Sequence, residues 1–119
     1  IEQGAACMTR ALIAVHTTVA SREDARRIAR HLVEAGLVAC AQIEEIESVY
    51  RWQGELVDEP ELRILCKTLA ERRTEVERAI RAMHPYALPA IHTIAIDGAD
   101  EAYAEWVAQG SSGGSGAGA

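Results

Sequence analysis

A length of 119 residues, of which 49% are hydrophobic and 25% charged, predicts a single soluble domain with a core of modest size. The formal net charge of −6 and the lack of a basic patch argue against a nucleic-acid-binding surface. No apolar run approaches the roughly 20 residues of a membrane helix, and no signal-peptide pattern opens the chain. We therefore expect a cytoplasmic protein without a membrane partner.

The two ends differ in composition from the rest of the chain. The first eight residues are too short and mixed to place, so an irregular N-terminus is predicted for residues 1–8. Residues 110–119 contain only Gly, Ser and Ala, which is typical of a flexible linker or of a tail added for expression. Such a tail would also fit a component of an engineered assembly. One folded domain is expected over residues 9–109.

The first half of this domain reads as strand, helix, strand. Small and β-branched residues favour a strand over residues 9–19. Ser21 is placed to cap a helix that ends at Gly36, and its apolar positions recur at helical spacing: Ala25, Ile28, Ala29, Leu32 and Val33. A second strand is predicted over residues 38–43, interrupted by the charged stretch 44–47 and resumed at 48–52.

A hairpin is predicted next, because Gln53-Gly54 supplies a turn with positive φ. The return strand continues to about Thr68, with Pro60 marking an edge or a bulge. The hairpin is longer than the body of a small sheet requires. Since an overhanging arm exposes unpaired backbone groups, we expect another copy of the chain to cover it.

A second helix over residues 70–83, a fourth strand over 91–97 and a short final helix over 100–108 complete the predicted order. The fold class is therefore α+β, a ferredoxin-like βαββαβ arrangement with an antiparallel sheet and both main helices on one face. Strands one and four are neighbours in this fold, so His16 and His92 are expected to approach each other. Such a pair is either coincidental or a clamp for copper, nickel or zinc.

The segment "MHPYALP", from Met83 to Pro89, is interpreted in two ways. Proline cannot continue a helix and disfavours helical conformation before it, so His84 is predicted at or just past the last turn. On one interpretation this is only a stiff helix terminator. On the other, His84 and Tyr86 form part of a binding site, since imidazole is the commonest metal ligand.

The cysteines offer weaker candidates. Cys7, Cys40 and Cys66 occur in odd number and without C-x-x-C spacing, which predicts reduced thiols. Cys40 is either an inert small hydrophobe or a soft ligand for copper(I). Cys66 alternates with Leu62 and Ile64, so the core is the favoured location. The chain carries no local signature of an enzyme, and no catalytic residue is predicted.

Three stretches in register closely resemble the CutA family, the divalent-cation tolerance proteins. They are "ARRIARHLVEAGLVACAQI", "SVYRWQGEL" and "HPYALP". The resemblance covers residues 9–107 and implies a homotrimer similar in architecture to the P-II signal proteins. It also implies binding of copper or another divalent cation, with no established reaction. His84 and Cys40 are then the candidate metal ligands, and Tyr50, Trp52 and Tyr86 the candidate lining of a ligand cleft.

Some positions depart from the family pattern. Ala90 stands where relatives usually carry Glu, Glu55 where they usually carry Lys, and Thr17 where some have Cys. If the family Glu helps to hold a metal beside His84, one oxygen ligand is missing here. The alternative function is therefore a P-II-like signalling or scaffold trimer, whose clefts between subunits bind a small anion or a partner and whose metal binding is incidental.

Overall fold

A computed structural model describes residues 10–113 of the chain. Cys7 and the predicted irregular N-terminus lie outside the described residues. The elements in chain order are β1 (Leu12–Val19), α1 (Arg22–Glu34), β2 (Cys40–Trp52), β3 (Glu55–Leu69), a 3₁₀ turn (Ala70–Arg72), α2 (Arg73–Met83), β4 (Ile91–Ile96) and α3 (Glu101–Gly110).

The four strands form one antiparallel sheet in the order β2-β3-β1-β4. The predicted α+β, ferredoxin-like βαββαβ fold is thus confirmed. β1 lies at the centre, where residues 12–19 pair with 62–69 of β3 and residues 12–17 pair with 91–96 of β4. His16 stands directly opposite His92, because the antiparallel register places them in the same row.

The main core lies between the sheet and the two long helices. Alternate residues of a strand point to one face, and the odd-numbered positions of β1 pack with the apolar stripes of α1 and α2. Fully buried side chains include Val15, Ile28, Leu32, Ile64, Val76 and Ile80. Burial of such side chains contributes about 1.5–3 kcal/mol each and holds the helices on this side of the sheet.

The opposite side of the sheet, bearing Ala14, His16 and Thr18 of β1, is called the open face. The final helix α3 covers only one end of it, where Val107 and Ala108 pack on Leu12 and Leu69. Beyond α3, Ala14 is buried, but His16 and Thr18 are half-buried and further side chains of this face are exposed. Ile94 is one of them, at 49% exposure.

The end of the domain lies slightly beyond the predicted boundary. Helix α3 runs to Gly110, and Ser111 is fully buried behind it. A Cβ at Gly110 would lie 2.9 Å from the Cβ of Ala39, so only glycine fits this close approach. Gly110 and Ser111 therefore pack with the domain, although their composition resembles the tail that follows.

The β2–β3 hairpin extends well past the sheet body. Residues 46–52 and 55–61 pair only with each other and are here called the arm. Its turn is tight, with φ of 50° at Gln53 and 83° at Gly54, as a two-residue hairpin requires. The predicted interruption at residues 44–47 is wrong, because β2 is continuous. Glu44 and Glu45 are exposed and form ion pairs with Arg63 and Arg22, and residues 46–47 belong to the arm, whose faces are open.

The described helices have at most 13 residues, and none is long and apolar enough to cross a membrane.

Candidate functional site

The segment after α2 crosses the open end of the sheet beside the base of the arm. His84 is the C-terminal cap of α2, with φ −75° and ψ 134°, so the predicted helix end is confirmed. Arg27 of α1 donates to the carbonyl oxygen of Met83 at 3.0 Å and satisfies part of this helix end. Pro85 prevents another turn and sends the chain towards β4.

Both ring nitrogens of His84 face backbone groups. Nε2 lies 2.8 Å from the carbonyl oxygen of Thr18 and donates to it, since a carbonyl can only accept. Nδ1 accepts from the backbone N–H of Tyr86 at 3.2 Å. The imidazole thereby ties the segment to the end of β1, and a metal ion would have to displace one of these hydrogen bonds.

We expect His84→Ala to destabilise the fold. The substitution leaves the Thr18 carbonyl and the Tyr86 N–H without their partner, which should lower the free energy of unfolding by about 1–3 kcal/mol. Urea denaturation measures the change. His31→Ala, at an exposed imidazole in the last turn of α1, is the matched control and should stay within about 0.5 kcal/mol of the parent chain. Equal stability of the two variants would contradict a structural role for His84.

The other predicted metal ligand, Cys40, lies elsewhere. It pairs with Lys67, in the row of Ala14, whereas His84 is bonded to Thr18, four residues further along β1. These two rows are about 13 Å apart along the strand. His84 and Cys40 therefore do not share a site in this chain.

Tyr50, Trp52 and Tyr86 line one cleft between the arm and the segment after α2. The cleft has a volume of about 540 Å³ and is here called the hairpin cleft. Its other lining residues are Thr18, Ala20, Glu59, Glu61, Ala87, Leu88 and Ala90. The three aromatic residues are thus brought together, and their role in binding stays a prediction.

Glu59 and Glu61 were missed by the sequence analysis. They lie two residues apart in β3, so their side chains point to the same side of the strand, about 7 Å apart. Glu61 is only 7% exposed although it is charged. The sequence does contain a signal for this arrangement. Glu59 and Glu61 flank Pro60 in a segment predicted to be extended, and a spacing of two residues in a strand places both side chains on the same face.

Each glutamate accepts a hydrogen bond from a tyrosine. The Tyr50 hydroxyl donates to Glu59 Oε2 at 2.6 Å, and the Tyr86 hydroxyl donates to Glu61 Oε2 at 3.1 Å. The bond to Glu59 raises the pKa of Tyr50 to about 12, and burial together with the bond to Glu61 raises the pKa of Tyr86. Both phenols therefore keep their protons at neutral pH and orient the carboxylates.

The cleft is acidic. Two of its lining residues are glutamates, and none of those described is Lys, Arg or His. Aromatic rings with two carboxylates and no basic partner attract cations and repel anions. Ala90 also lines this cleft, so the position at which the resemblance to the family implies a glutamate lies at the site itself.

Grouped metal ligands are otherwise scarce. Between residues 10 and 113, no three side chains of His, Cys, Asp or Glu converge in a way that could hold a metal ion by themselves. A cation in the hairpin cleft would therefore rely on the two glutamates, with water or another copy of the chain supplying further ligands.

Comparison with known proteins identifies the family of the chain. The family model described as "CutA1 divalent ion tolerance protein" matches residues 13–110. The chain belongs to the CutA1 family. The CutA protein of Thermus thermophilus is 41% identical over 91 residues, which cover 76% of this chain and 88% of that protein. The family description assigns a role in tolerance of divalent ions.

Solved CutA structures share the fold. CutA from Synechococcus elongatus superposes with a TM-score of 0.83 at 36% identity, covering 87% of this chain and 93% of that one. CutA from Archaeoglobus fulgidus, described as a periplasmic divalent cation tolerance protein, gives a TM-score of 0.78 at 33% identity and covers 81% and 94%. The resemblance of the three sequence stretches to the CutA family is thus confirmed.

Proposed function

We propose that this CutA chain is a homotrimeric protein of metal tolerance that binds divalent cations in the hairpin cleft. The observation that carries the proposal is the presence of two glutamates, Glu59 and Glu61, in a cleft without basic lining residues. Carboxylate oxygens are the ligands preferred by Mg²⁺, Ca²⁺ and Mn²⁺. The burial of Glu61 strengthens its attraction for a cation, because the surrounding dielectric is low.

Copper remains part of this proposal, but not through the predicted pair of His84 and Cys40. The hydrogen bonds of His84 to Thr18 and Tyr86 compete with metal binding at both ring nitrogens. Copper(II) could use the carboxylates of the cleft or imidazoles elsewhere on the sheet. We propose no catalytic role, in keeping with a family described by ion tolerance.

The trimer is supported by the shape of the chain. The arm exposes Val49 in its middle and Leu56 beside its turn, at 61% and 69%, and β2 is an edge strand along its whole length of 13 residues. Exposed apolar side chains beside unpaired backbone groups favour association with a second copy. The chain spans 57 Å in its longest direction, so the arm reaches well beyond the body of the domain.

A cytoplasmic location is supported by the thiols. Cys40 and Cys66 are both free in the described part of the chain, as is usual in a reducing compartment.

The P-II-like alternative is favoured by one feature, the size of the cleft. A volume of about 540 Å³ exceeds the roughly 30 Å³ that a water molecule occupies, so a small organic molecule fits. The two glutamates disfavour the small anion expected from the sequence and favour a cationic or uncharged molecule. This function would make metal binding incidental to recognition of an organic ligand.

Glu61→Gln tests the cation site. Removing one charge without changing the shape should weaken Mn²⁺ binding at least tenfold, or about 1.4 kcal/mol, in a calorimetric titration. Glu59→Gln should act in the same direction. Glu34→Gln is the matched control, because this glutamate is exposed at the end of α1 and lies outside the cleft. Mn²⁺ affinity that is the same in all four proteins would exclude the cleft as the cation site.

A further inference from the structure

The open face carries a pair of histidines that the hairpin cleft does not use. His16 of β1 and His92 of β4 are direct partners in the antiparallel register. Their rings are stacked, with centroids 4.7 Å apart and planes inclined by 28°. Directly opposed residues have Cβ atoms about 5 Å apart, so two imidazoles in one row can reach the same ion.

One ring nitrogen of this pair is free to bind a metal ion within the described part of the chain. Nδ1 of His16 is buried and has no hydrogen-bond partner among the described residues. A buried polar atom without a partner costs free energy, and a metal ion on its lone pair would remove that cost. His84 differs in this respect, because both of its nitrogens are hydrogen-bonded.

The environment of His16 favours the uncharged imidazole, which is the form that binds metals. Burial lowers its pKa, the neighbouring His92 and Arg63 act in the same direction, and Glu44 opposes them. A lower pKa leaves the imidazole uncharged at neutral pH, which is the form that binds metals. Arg63 itself donates from Nε to Glu44 Oε1 at 3.1 Å, which partly compensates its repulsion of a cation.

We propose that His16 and His92 bind one transition-metal ion of the copper, nickel and zinc class on the open face. His92 is exposed and can turn from the stacked position to share the ion with His16. Imidazole ligands suit these metals, whereas Mg²⁺ and Ca²⁺ prefer oxygen. The site therefore differs from the hairpin cleft in both position and metal preference, and it does not depend on the function proposed for the cleft.

Nickel is the probe for the test, since it does not oxidise the thiols. Calorimetric titration of Ni²⁺ into the full chain should show a site that His92→Ala weakens at least tenfold and that His16→Gln weakens similarly. His31→Ala is the matched control, because it removes another exposed imidazole and should leave this site unchanged. Mg²⁺ should not compete for the site.

Copper(II) provides a second readout. Its electron paramagnetic resonance spectrum should show nitrogen hyperfine lines that both His16→Gln and His92→Ala remove and that Glu59→Gln and Glu61→Gln retain. Ni²⁺ affinity unchanged in His92→Ala would overturn the proposal. A native assembly that takes up no Ni²⁺ would overturn it as well, because the pair would then be inaccessible.

Discussion

Leu56→Lys is expected to dissociate the proposed trimer and so to lower the mass of the protein in solution to that of a single chain, 12.9 kDa. Leu56 lies at the end of the arm and is 69% exposed in the single chain. A neighbouring copy that covers this leucine would have to bury a lysine charge in the variant, which costs several kcal/mol without a paired carboxylate. The domain itself should stay folded, because Leu56 is not part of its core.

Leu88→Lys is the matched control for this change. Leu88 is also 69% exposed but lies in the segment after α2 rather than on the arm. Light scattering at several protein concentrations compares the two variants with the parent chain. A parent chain that is a monomer would contradict the trimer, and dissociation of both variants to the same degree would contradict the special role of the arm.

Much of the fold could be predicted because its local patterns agree with one another. Ser21 and Gly36 delimit α1 by capping chemistry, and Gly36 has the expected positive φ of 72°. The antiparallel arrangement of β1 and β4 then places His16 opposite His92 from topology alone. The caps depend on short-range rules, which a single sequence contains, and the strand pairing follows from the order of the elements in the fold.

The sequence predicts burial less well where packing between distant residues decides which side chains enter the core. The apolar spacing of the final helix predicts burial of Ala102, Tyr103, Trp106 and Val107. Val107 is buried, but Tyr103 and Trp106 are 37% and 51% exposed, Ala102 is exposed as well, and Ala108 lies in the core. Small residues are needed there because α3 lies close against β1 and β3. The two aromatic rings stack on each other, with centroids 5.8 Å apart.

The candidate site could be predicted only in part. The aromatic members of the hairpin cleft belong to short sequence patterns, but their relation to Glu59 and Glu61 depends on the register of the arm. That register pairs Ser48 with Glu59 and Ile46 with Glu61, and it is continuous through Pro60. The interpretation of Pro60 as an edge or a bulge concealed the alternation that carries both glutamates into the cleft.

The thiol of Cys66 should be unreactive in the folded protein. Desolvation by burial raises the pKa of Cys66 from 9.0 to about 12, and the nearby Cys40 adds to the shift. The thiolate is the reactive form, so the raised pKa lowers the reactive fraction of Cys66 at pH 8. Cys40 is only partly buried and should react much faster with a thiol reagent.

The measurement is absorbance at pH 8 with Ellman's reagent, in a Cys7→Ser background that leaves two thiols. One thiol should react promptly in the native protein and the second only in denaturant, and Cys40→Ser should remove the prompt one. Since thiolates are also the metal-binding form, a protected Cys66 would not contribute to copper uptake by the folded chain. Two prompt thiols in the native protein would contradict the burial of Cys66 and restore it as a candidate ligand.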